Sequence, residues 1–268
     1  MAFWFGKFMF QRELEEMLKV AAEASENIMK YYENGFHAEM KEDNSPVTEA
    51  DMTTDALIKE RLHYLFPNYS FLTEESNDDL KRLENDYVFI VDPVDGTKDF
   101  IAEDGEFTCN IALAYKHEVV AGVVAAPALG IMYYASKGHG AYKAKIGEKG
   151  ERIRVNDKID NLTALISIFH FSQNESKLLE RHANRIIRIE KRGSSLKACA
   201  IAEGKAEVSY RLNAGTKEWD TAAFQIIVEE AGGYVLELST MKPLTYNRVD
   251  VHNRNGYIVV NNLENILL

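Results

Sequence analysis

The sequence VDPVDGTKDF at residues 91–100 places two acidic side chains directly after an apolar, β-prone run. That run, YVFIV at 87–91, predicts a strand that ends at Asp92, and Asp95 follows after a Pro-Val pair. Magnesium prefers oxygen ligands and keeps several of its waters, so two convergent carboxylates and one carbonyl can begin a metal site. Asp, Pro and Gly are also the usual turn formers, so a plain turn is the alternative for this segment by itself.

Two segments upstream add further carboxylates. Glu74 and Glu75 follow the β-prone run YSFL at 69–72, where a solvated loop is the alternative interpretation. Asp51 lies in SPVTEAD, three residues after Thr48, and this spacing is also that of a helix capping box. Neither segment identifies a function when it is considered alone.

A fourth acidic side chain opens the helical pattern EWDTAAFQIIVEEAGG at 218–233. Asp220 stands at the start of this pattern, where the helix dipole favours a negative charge in any case. Helix amino termini also bind phosphate through their free N–H groups. A structural and a functional role for Asp220 are therefore compatible.

The overall charge limits the classes of partner. Aspartate and glutamate number 42 against 31 lysines and arginines, which gives a net charge of -11. This balance argues against binding a nucleic-acid polymer or a membrane surface through a basic face. If the substrate is an anion, bound cations would have to reverse the local charge at the site.

The cysteines and the amino-terminal residues bear on location. Cys109 and Cys199 lie in apolar stretches without zinc-type spacing or a disulfide framework, which favours a reducing cytoplasm. The opening MAFWFGKFMF at 1–10 is short and lacks the features of a signal peptide. No apolar run approaches the length of a membrane span.

Periodicity predicts a mixed α/β chain. A polar linker containing Pro46 should join the first two helices, and a polar stretch near 150–160 suggests a soft boundary between a half at 1–155 that binds metal and a half at 156–268 that completes the site. Because Asp220 must meet the earlier acids, we expect one functional unit over 1–268. The apolar patterns predict helices over 12–34, from Thr48 to just before Pro67, over 175–184 and over 218–233, strands over 69–72 and 87–91, an antiparallel meander over 107–135, and alternating strands and helices over 163–212.

Taken in order, these segments resemble the inositol monophosphatase superfamily of magnesium-dependent, lithium-sensitive phosphatases. The signatures are the Glu-Glu pair, the Asp-Pro-Val-Asp-Gly-Thr turn, and the Trp-Asp-Thr-Ala-Ala helix closed by Glu-Ala-Gly-Gly. The match extends over nearly the whole chain. It implies a layered αβαβα sandwich, within the α/β (α+β) class, and two or three Mg²⁺ ions, with Mn²⁺ as an alternative.

The resemblance also implies roles for individual residues. The metal ligands would be Glu74, Asp92, Asp95, Asp220 and the backbone carbonyl of Val94. Thr97, with Asp51 as its hydrogen-bond partner, would join Glu74 in orienting a metal-bound water for in-line attack on phosphorus. Substrate contacts would come from Val94, Asp95, Gly96, Thr97, Lys41, His170, Ser195, Lys197 and Asp220.

The resemblance implies that the substrate is a small phosphorylated metabolite. Segments such as TKDFI, GEFTCNIAL and SSLKACAIAEGKAEV resemble bacterial CysQ-type 3'(2'),5'-bisphosphate nucleotidases, in which Ser195, Lys197 and His170 would contact the second phosphate or the base. The alternatives are that Ser195 caps the helix that follows it and that His170 has a structural role. Arg211 follows Tyr210 directly, where that branch often has Pro-Arg, so the choice of substrate stays open.

Three functions remain from the sequence. They are hydrolysis of 3'-phosphoadenosine 5'-phosphate to AMP, hydrolysis of inositol or sugar phosphates such as fructose 1,6-bisphosphate on the same scaffold, and metal binding without catalysis. The last is the weakest because every motif carboxylate is present. The resemblance also allows a homodimer, although no interface can be identified from these residues.

Overall fold

A computed structural model describes residues 10–41 and 46–268, and all structural statements below refer to these residues. The opening residues 1–9 and the linker residues 42–45 lie outside the described part, so the predictions made for them stay predictions. The helices are α1 (Gln11–Asn34), α2 (Glu49–Leu65), α3 (Thr97–Ile101), α4 (Gln173–Arg181), α5 (Leu196–Ala202) and α6 (Glu218–Glu230).

The strands form two large sheets and one small hairpin. The hairpin pairs β1 (Ala38–Met40) with β2 (Pro46–Thr48). In spatial order, the larger sheet contains β3 (Ser70–Thr73), β4 (Tyr87–Asp95), β5 (Thr108–Tyr115), β6 (Glu118–Ala126), β7 (Ile131–Ser136), β8 (Gly140–Lys145) and β9 (Glu151–Ile153). The smaller sheet runs in the order β11 (Ile186–Arg192), β10 (Leu162–Ser167), β12 (Val208–Arg211), β14 (Tyr257–Val260) and β13 (Tyr234–Glu237).

Three apolar clusters hold five layers together. The first cluster joins α1 and α2 to one face of the larger sheet, as the burial of Met17, Ile58 and Phe89 shows. The second fills the space between the two sheets around α5 and α6. The third packs α4 on the outer face of the smaller sheet through Leu178 and Leu179. The order of layers is helix, sheet, helix, sheet, helix, which confirms the predicted αβαβα sandwich.

Most of the predicted elements are confirmed. The helices α1 and α2 match the patterns at 12–34 and after Thr48, and β5, β6 and β7 form the predicted antiparallel meander. The prediction of a polar linker around Pro46 was wrong in part, because Pro46 begins β2. Proline is tolerated at the first residue of an edge strand, which explains its place there. The switch between the two sheets falls between Ile153 and Leu162, while the proposed halves stay a prediction.

The helix α6 packs unusually close to the larger sheet. A Cβ on Gly122 of β6 would lie 2.5 Å from the Ala223 carbonyl oxygen and 2.7 Å from the Ile226 Cγ2. Only a residue without a side chain therefore fits between this strand and α6. The described helices include none that is both long and apolar enough to cross a membrane.

Because of this close approach, we expect Gly122→Ala to lower the free energy of unfolding by about 1–3 kcal/mol, the usual cost of overpacking. Urea denaturation measures this change. Gly147→Ala is the control, since Gly147 lies in an exposed turn with φ of 81° and no atom within 4 Å of an added Cβ. Gly147→Ala should lose stability only through its backbone conformation, because the added methyl group displaces no neighbouring atom. Wild-type stability in Gly122→Ala would contradict the packing argument.

Candidate active site

Three carboxylates that are far apart in the sequence meet at one end of β4. One oxygen from each of Asp92, Asp95 and Asp220 lies within 4.8 Å of the others. Asp92 and Asp95 end β4, where the pairing with β5 becomes irregular between these two residues. Asp220 comes from the first turn of α6, where its Oδ2 accepts a hydrogen bond from the Lys217 N–H. Helix capping and clustering with the other acids thus occur together.

Glu74 reaches the same pocket from the neighbouring strand. β3 runs parallel to β4, and the Glu74 N–H donates to the Val91 carbonyl oxygen at 3.2 Å. The Lys41 Nζ donates to Glu75 Oε1 at 2.6 Å and to Glu74 Oε1 at 3.4 Å. Lys41 therefore neutralises part of the charge on the Glu74–Glu75 pair.

The carboxylates repel one another strongly in this buried place. Burial, followed by the charges of Glu74, Asp95 and Asp220, raises the pKa of Asp92 well above its ordinary value. Burial and the charges of Asp95 and Glu74 raise the pKa of Asp220 to about 8. Among the described atoms, Asp92 Oδ1 has no hydrogen-bond partner.

Such a cluster suits a divalent cation. A hard cation binds carboxylate and carbonyl oxygens and removes the repulsion that burial creates. Asp92 offers an unpartnered oxygen, and the other acids lie beside it. The donor set therefore fits a metal such as Mg²⁺.

Three hydrogen-bond donors fix the orientation of the Asp95 carboxylate. Its Oδ2 accepts from Thr108 Oγ1 at 3.2 Å, from Asn110 Nδ2 at 3.2 Å and from Ser195 Oγ at 2.9 Å. Asn110 Nδ2 also donates to Ser195 Oγ at 3.0 Å. The sequence interpretation missed Thr108 and Asn110, although two polar residues in the buried strand GEFTCNIAL were a usable signal.

Asp51 connects α2 to the turn after β4. Its Oδ2 accepts from the Thr48 N–H and hydroxyl, which forms the capping box, while its Oδ1 accepts from Thr97 Oγ1 at 3.3 Å. Thr97 Oγ1 also lies 3.3 Å from the Val94 carbonyl oxygen. Burial raises the pKa of Asp51 even though the Thr48 hydrogen bonds favour its charged form. The structure thus brings the predicted pair Thr97 and Asp51 together.

Gly96 makes the sharp turn between β4 and α3. Its φ is 88°, and an added Cβ would lie 3.0 Å from Asp99 Oδ2 and 3.2 Å from Ser194 Cβ. A side chain here would be strained by the backbone conformation and crowded by both neighbours. The turn therefore depends on glycine.

A pocket of about 410 Å³ is lined by the carboxylates and by a group of cationic side chains. Four residues whose side chains can carry a positive charge form what we call the cationic wall: Lys98, His170, Lys197 and Arg211. Partial burial, with the charges of Lys98, Arg211 and Lys197, lowers the pKa of His170 to about 4 although the side chain stays exposed to solvent. Burial lowers the pKa of Lys197 as well, despite the nearby Asp95 and Asp99. The pocket is thus lined both by the carboxylates and by a group of cationic side chains.

Some of the predicted substrate residues line the pocket and others do not. His170 and Lys197 line the pocket, whereas Ser195 is only 2% exposed and its hydroxyl donates to Asp95. The substrate contact at Ser195 stays a prediction, and in this structure the Ser195 side chain is turned towards Asp95. Ser194 lines the pocket instead, and Ser195 provides no side-chain cap to α5. Lys41 contacts the Glu74–Glu75 pair.

Three cationic pocket residues, Lys98, Arg211 and Lys217, were not predicted as site residues. Lys98 follows Thr97 in the turn, and Arg211 ends β12 with its Nη1 donating to the His170 carbonyl oxygen at 3.0 Å. Arg211 was noted only as a departure from a motif. Its place on the pocket wall follows from the pairing of β12 beside β10, which no local sequence pattern could have shown.

The fold and the pocket agree with one class of protein, a metal-dependent phosphoric monoester hydrolase. A sequence model described as the inositol monophosphatase family matches residues 11–266. This chain belongs to the inositol monophosphatase family, which confirms the resemblance found in its motifs.

Relatives with assigned activities lie within the same family. The 3'(2'),5'-bisphosphate nucleotidase CysQ of Salmonella typhimurium is 39% identical over 228 residues, which cover 83% of this chain and 89% of the relative. The protein of the same name from Aggregatibacter actinomycetemcomitans is 35% identical over 240 residues, covering 88% and 87% respectively.

Solved structures agree with the fold. One of them is CysQ from Bacteroides thetaiotaomicron, which is described as a bacterial member of the inositol monophosphatase family. It has a TM-score of 0.82 and 32% identity, and the match covers 96% of this chain and 100% of that chain. An inositol monophosphatase from Thermotoga maritima has a TM-score of 0.79 and 28% identity, covering 94% of this chain and 92% of that chain. Both comparisons extend over nearly the whole molecule.

The electrostatics of the metal-free site predict a pH dependence. The pKa of Asp220 is about 8 in the folded state, whereas its ordinary value is 3.8. Between about pH 4 and about pH 8, Asp220 is therefore protonated in the folded protein and ionised in the unfolded chain. The free energy of unfolding should therefore fall as pH rises from about 4 to about 8 when metal is removed with EDTA. In Asp220→Asn the fall should be shallower, and in the wild type added Mg²⁺ should reduce it because a cation replaces the proton. Urea denaturation across this range measures the slopes, and equal slopes in both proteins would contradict this origin.

Proposed function

We propose that this enzyme hydrolyses 3'-phosphoadenosine 5'-phosphate to AMP and inorganic phosphate. The observation that carries the proposal is that one pocket is lined both by the clustered carboxylates and by the cationic wall. The carboxylates suit a phosphate that is bound through metal ions and cleaved, and the cationic wall suits a second phosphate that is retained. The relatives named 3'(2'),5'-bisphosphate nucleotidase support the same substrate.

The proposed cofactor is Mg²⁺, as two or three ions, with Mn²⁺ able to substitute. Glu74, Asp92, Asp95, Asp220 and the Val94 carbonyl would hold these ions, since oxygen donors of this kind are those that magnesium prefers. When bound, the cations would supply positive charge that lowers the pKa of a water and offsets the charge of the leaving oxygen.

The protein side chains would position the attacking water. Thr97 Oγ1 donates to Asp51 Oδ1 at 3.3 Å, which leaves its lone pairs able to accept a hydrogen bond from water. Glu74 can accept the second proton of that water. Asp51 and Thr97 would thus fix the direction of attack, while the N–H groups of Gly96 and Thr97 hold phosphate oxygens.

The second phosphate would bind at the cationic wall. Lys197 Nζ donates to the Ser194 carbonyl oxygen at 2.6 Å, which keeps the ammonium beside the pocket. Lys98, Arg211 and His170 surround the same region. These charges favour an anion there, and a bound phosphate would in turn raise the pKa of His170 and favour its protonated form.

A sugar bisphosphate is the second candidate substrate, because fructose 1,6-bisphosphate also presents two phosphates, one for the carboxylates and one for the cationic wall. An inositol monophosphate would leave the cationic wall without a partner. We further propose a reducing cytoplasm as the setting, since Cys109 and Cys199 are buried free thiols.

Phosphate release from a substrate panel tests the proposal. With Mg²⁺ present, 3'-phosphoadenosine 5'-phosphate should give a higher kcat/KM than fructose 1,6-bisphosphate and inositol 1-phosphate. Asp95→Asn is the inactive control and should lose more than about 100-fold in kcat, because even residues behind metal ligands contribute about 10–100-fold. Preference for either of the other esters would reject the nucleotide, and near-full turnover by Asp95→Asn would reject the metal assignment.

A second experiment tests the cationic wall. Lys197→Met should raise KM for 3'-phosphoadenosine 5'-phosphate by about tenfold or more, since a hydrogen bond to a charged group contributes about 1.5–3 kcal/mol. Adenosine 3'-monophosphate lacks the retained phosphate, so its KM should change little. Lys205→Met removes an exposed lysine paired with Glu203 and is the matched control. Equal losses with both nucleotides would show that Lys197 does not recognise the second phosphate.

A further inference from the structure

A fully buried carboxylate begins the helix that carries Asp220. Glu218 is 0% exposed and is the first residue of α6, two positions before Asp220. Its Oε2 accepts from the Asn247 N–H at 2.6 Å, and its Oε1 accepts from the Arg248 N–H at 2.9 Å and from Arg248 Nε at 3.1 Å. The Glu218 N–H donates to the Val251 carbonyl oxygen at 2.9 Å. The first turn of α6 is therefore tied to the segment 247–251.

Arg248 extends this attachment around the helix start. Its Nη2 donates to Asn253 Oδ1 at 2.8 Å and to the Val251 carbonyl oxygen at 3.3 Å. Asn253 Nδ2 in turn donates to the Lys217 carbonyl oxygen at 2.9 Å and lies 3.3 Å from Thr221 Oγ1. The helix start is thus held on both sides of Asp220 in the sequence, at Lys217 and at Thr221.

A second arginine, Arg82, is buried and joins the network to a distant part of the chain. Arg82 is 2% exposed, and it follows β3 on the path to β4. Its Nη1 donates to Asn247 Oδ1 at 2.8 Å and its Nη2 to the Arg248 carbonyl oxygen at 2.9 Å. Asn247 Nδ2 returns a hydrogen bond to the Arg82 carbonyl oxygen at 3.1 Å. The connection between β3 and β4 is thereby linked to the start of α6.

The network lies behind the pocket and not in it. Glu218, Arg248, Asn247 and Arg82 do not line the pocket, while Asp220 does. The Asp220 Oδ2 accepts a hydrogen bond from the Lys217 N–H, so the direction of its carboxylate depends on the first turn of α6. The hydrogen bonds made by Arg248 and Asn253 hold that turn in place.

We propose that Glu218, together with Arg248 and Arg82, is a positioning group that fixes the first turn of α6 and so keeps Asp220 ready to bind metal. The inference rests on the metal assignment of the proposed function and adds residues that contact neither metal nor substrate. Partners behind metal ligands orient those ligands, and their loss lowers metal affinity or activity by about 10–100-fold.

A merely structural role would give a different result, and the chain contains a matched control. Glu207 is also 0% exposed and accepts hydrogen bonds from the Thr163 N–H and from Asn156 Nδ2, both at 2.6 Å. It lines no part of the pocket. Glu207→Gln and Glu218→Gln make the same change in two buried networks. Each amide places an N–H₂ group where the carboxylate accepted a hydrogen bond, so both variants should lose stability.

The test is the binding of Mn²⁺ to the full chain by isothermal titration calorimetry without substrate. Thermal unfolding in EDTA measures the stability of each variant beside it. We expect Glu218→Gln to weaken Mn²⁺ binding by about tenfold or more, and Glu207→Gln to bind as the wild type does while losing a comparable amount of stability. Equal Mn²⁺ affinity in Glu218→Gln and Glu207→Gln would overturn the proposal.

Arg248→Lys serves as the second variant if Glu218→Gln does not fold. Its side chain is 27% exposed, so the fold tolerates the change, but lysine cannot contact Glu218, Val251 and Asn253 together. Weaker Mn²⁺ binding at unchanged stability supports positioning, and wild-type affinity overturns it. If the wild type itself bound no Mn²⁺, the metal assignment would fail, which separates this outcome from failure of the positioning role.

Discussion

The repulsion among buried carboxylates is the constraint on which the rest of the structure depends. Asp92, Asp95 and Asp220 have oxygens within 4.8 Å of one another, with Glu74 lining the same pocket. Left in a low-dielectric place, such charges favour protonation or separation. The protein opposes separation with donors behind Asp95, with the capped start of α6, and with close packing of that helix on Gly122. A bound divalent cation would offset this repulsion.

The layered fold supplies these supports from separate parts of the chain. One sheet ends in the Asp92–Asp95 turn, the other carries Arg211 on β12, and α6 lies between them. The pocket opens where these layers meet. This arrangement suits an anionic substrate in spite of the net charge of -11, since several cationic side chains line the pocket.

Sequence patterns predicted what depends on local periodicity and on short motifs. The helices α1 and α2, the antiparallel meander, and the acidic residues that meet at the end of β4 were all predictable, because each has a signature within a few residues. The hydrogen bond from Ser195 to Asp95 could not be predicted, because two adjacent serines after Gly193 do not reveal which side of the turn each hydroxyl faces. Arg211 and Glu218 were missed as site or support residues because their partners, His170 and Arg248, are far away in the sequence and meet them only through strand and loop packing.

The origin of the cationic wall in several elements has a consequence for the evolution of the enzyme. Lys98, His170, Lys197 and Arg211 come from four different turns and elements, and none of them is a carboxylate. If these residues recognise the second phosphate as proposed, single substitutions among them would change which ester is accepted and leave the carboxylates unchanged. Descendants of one ancestor could then acquire different substrates while each of them kept its hydrolytic activity.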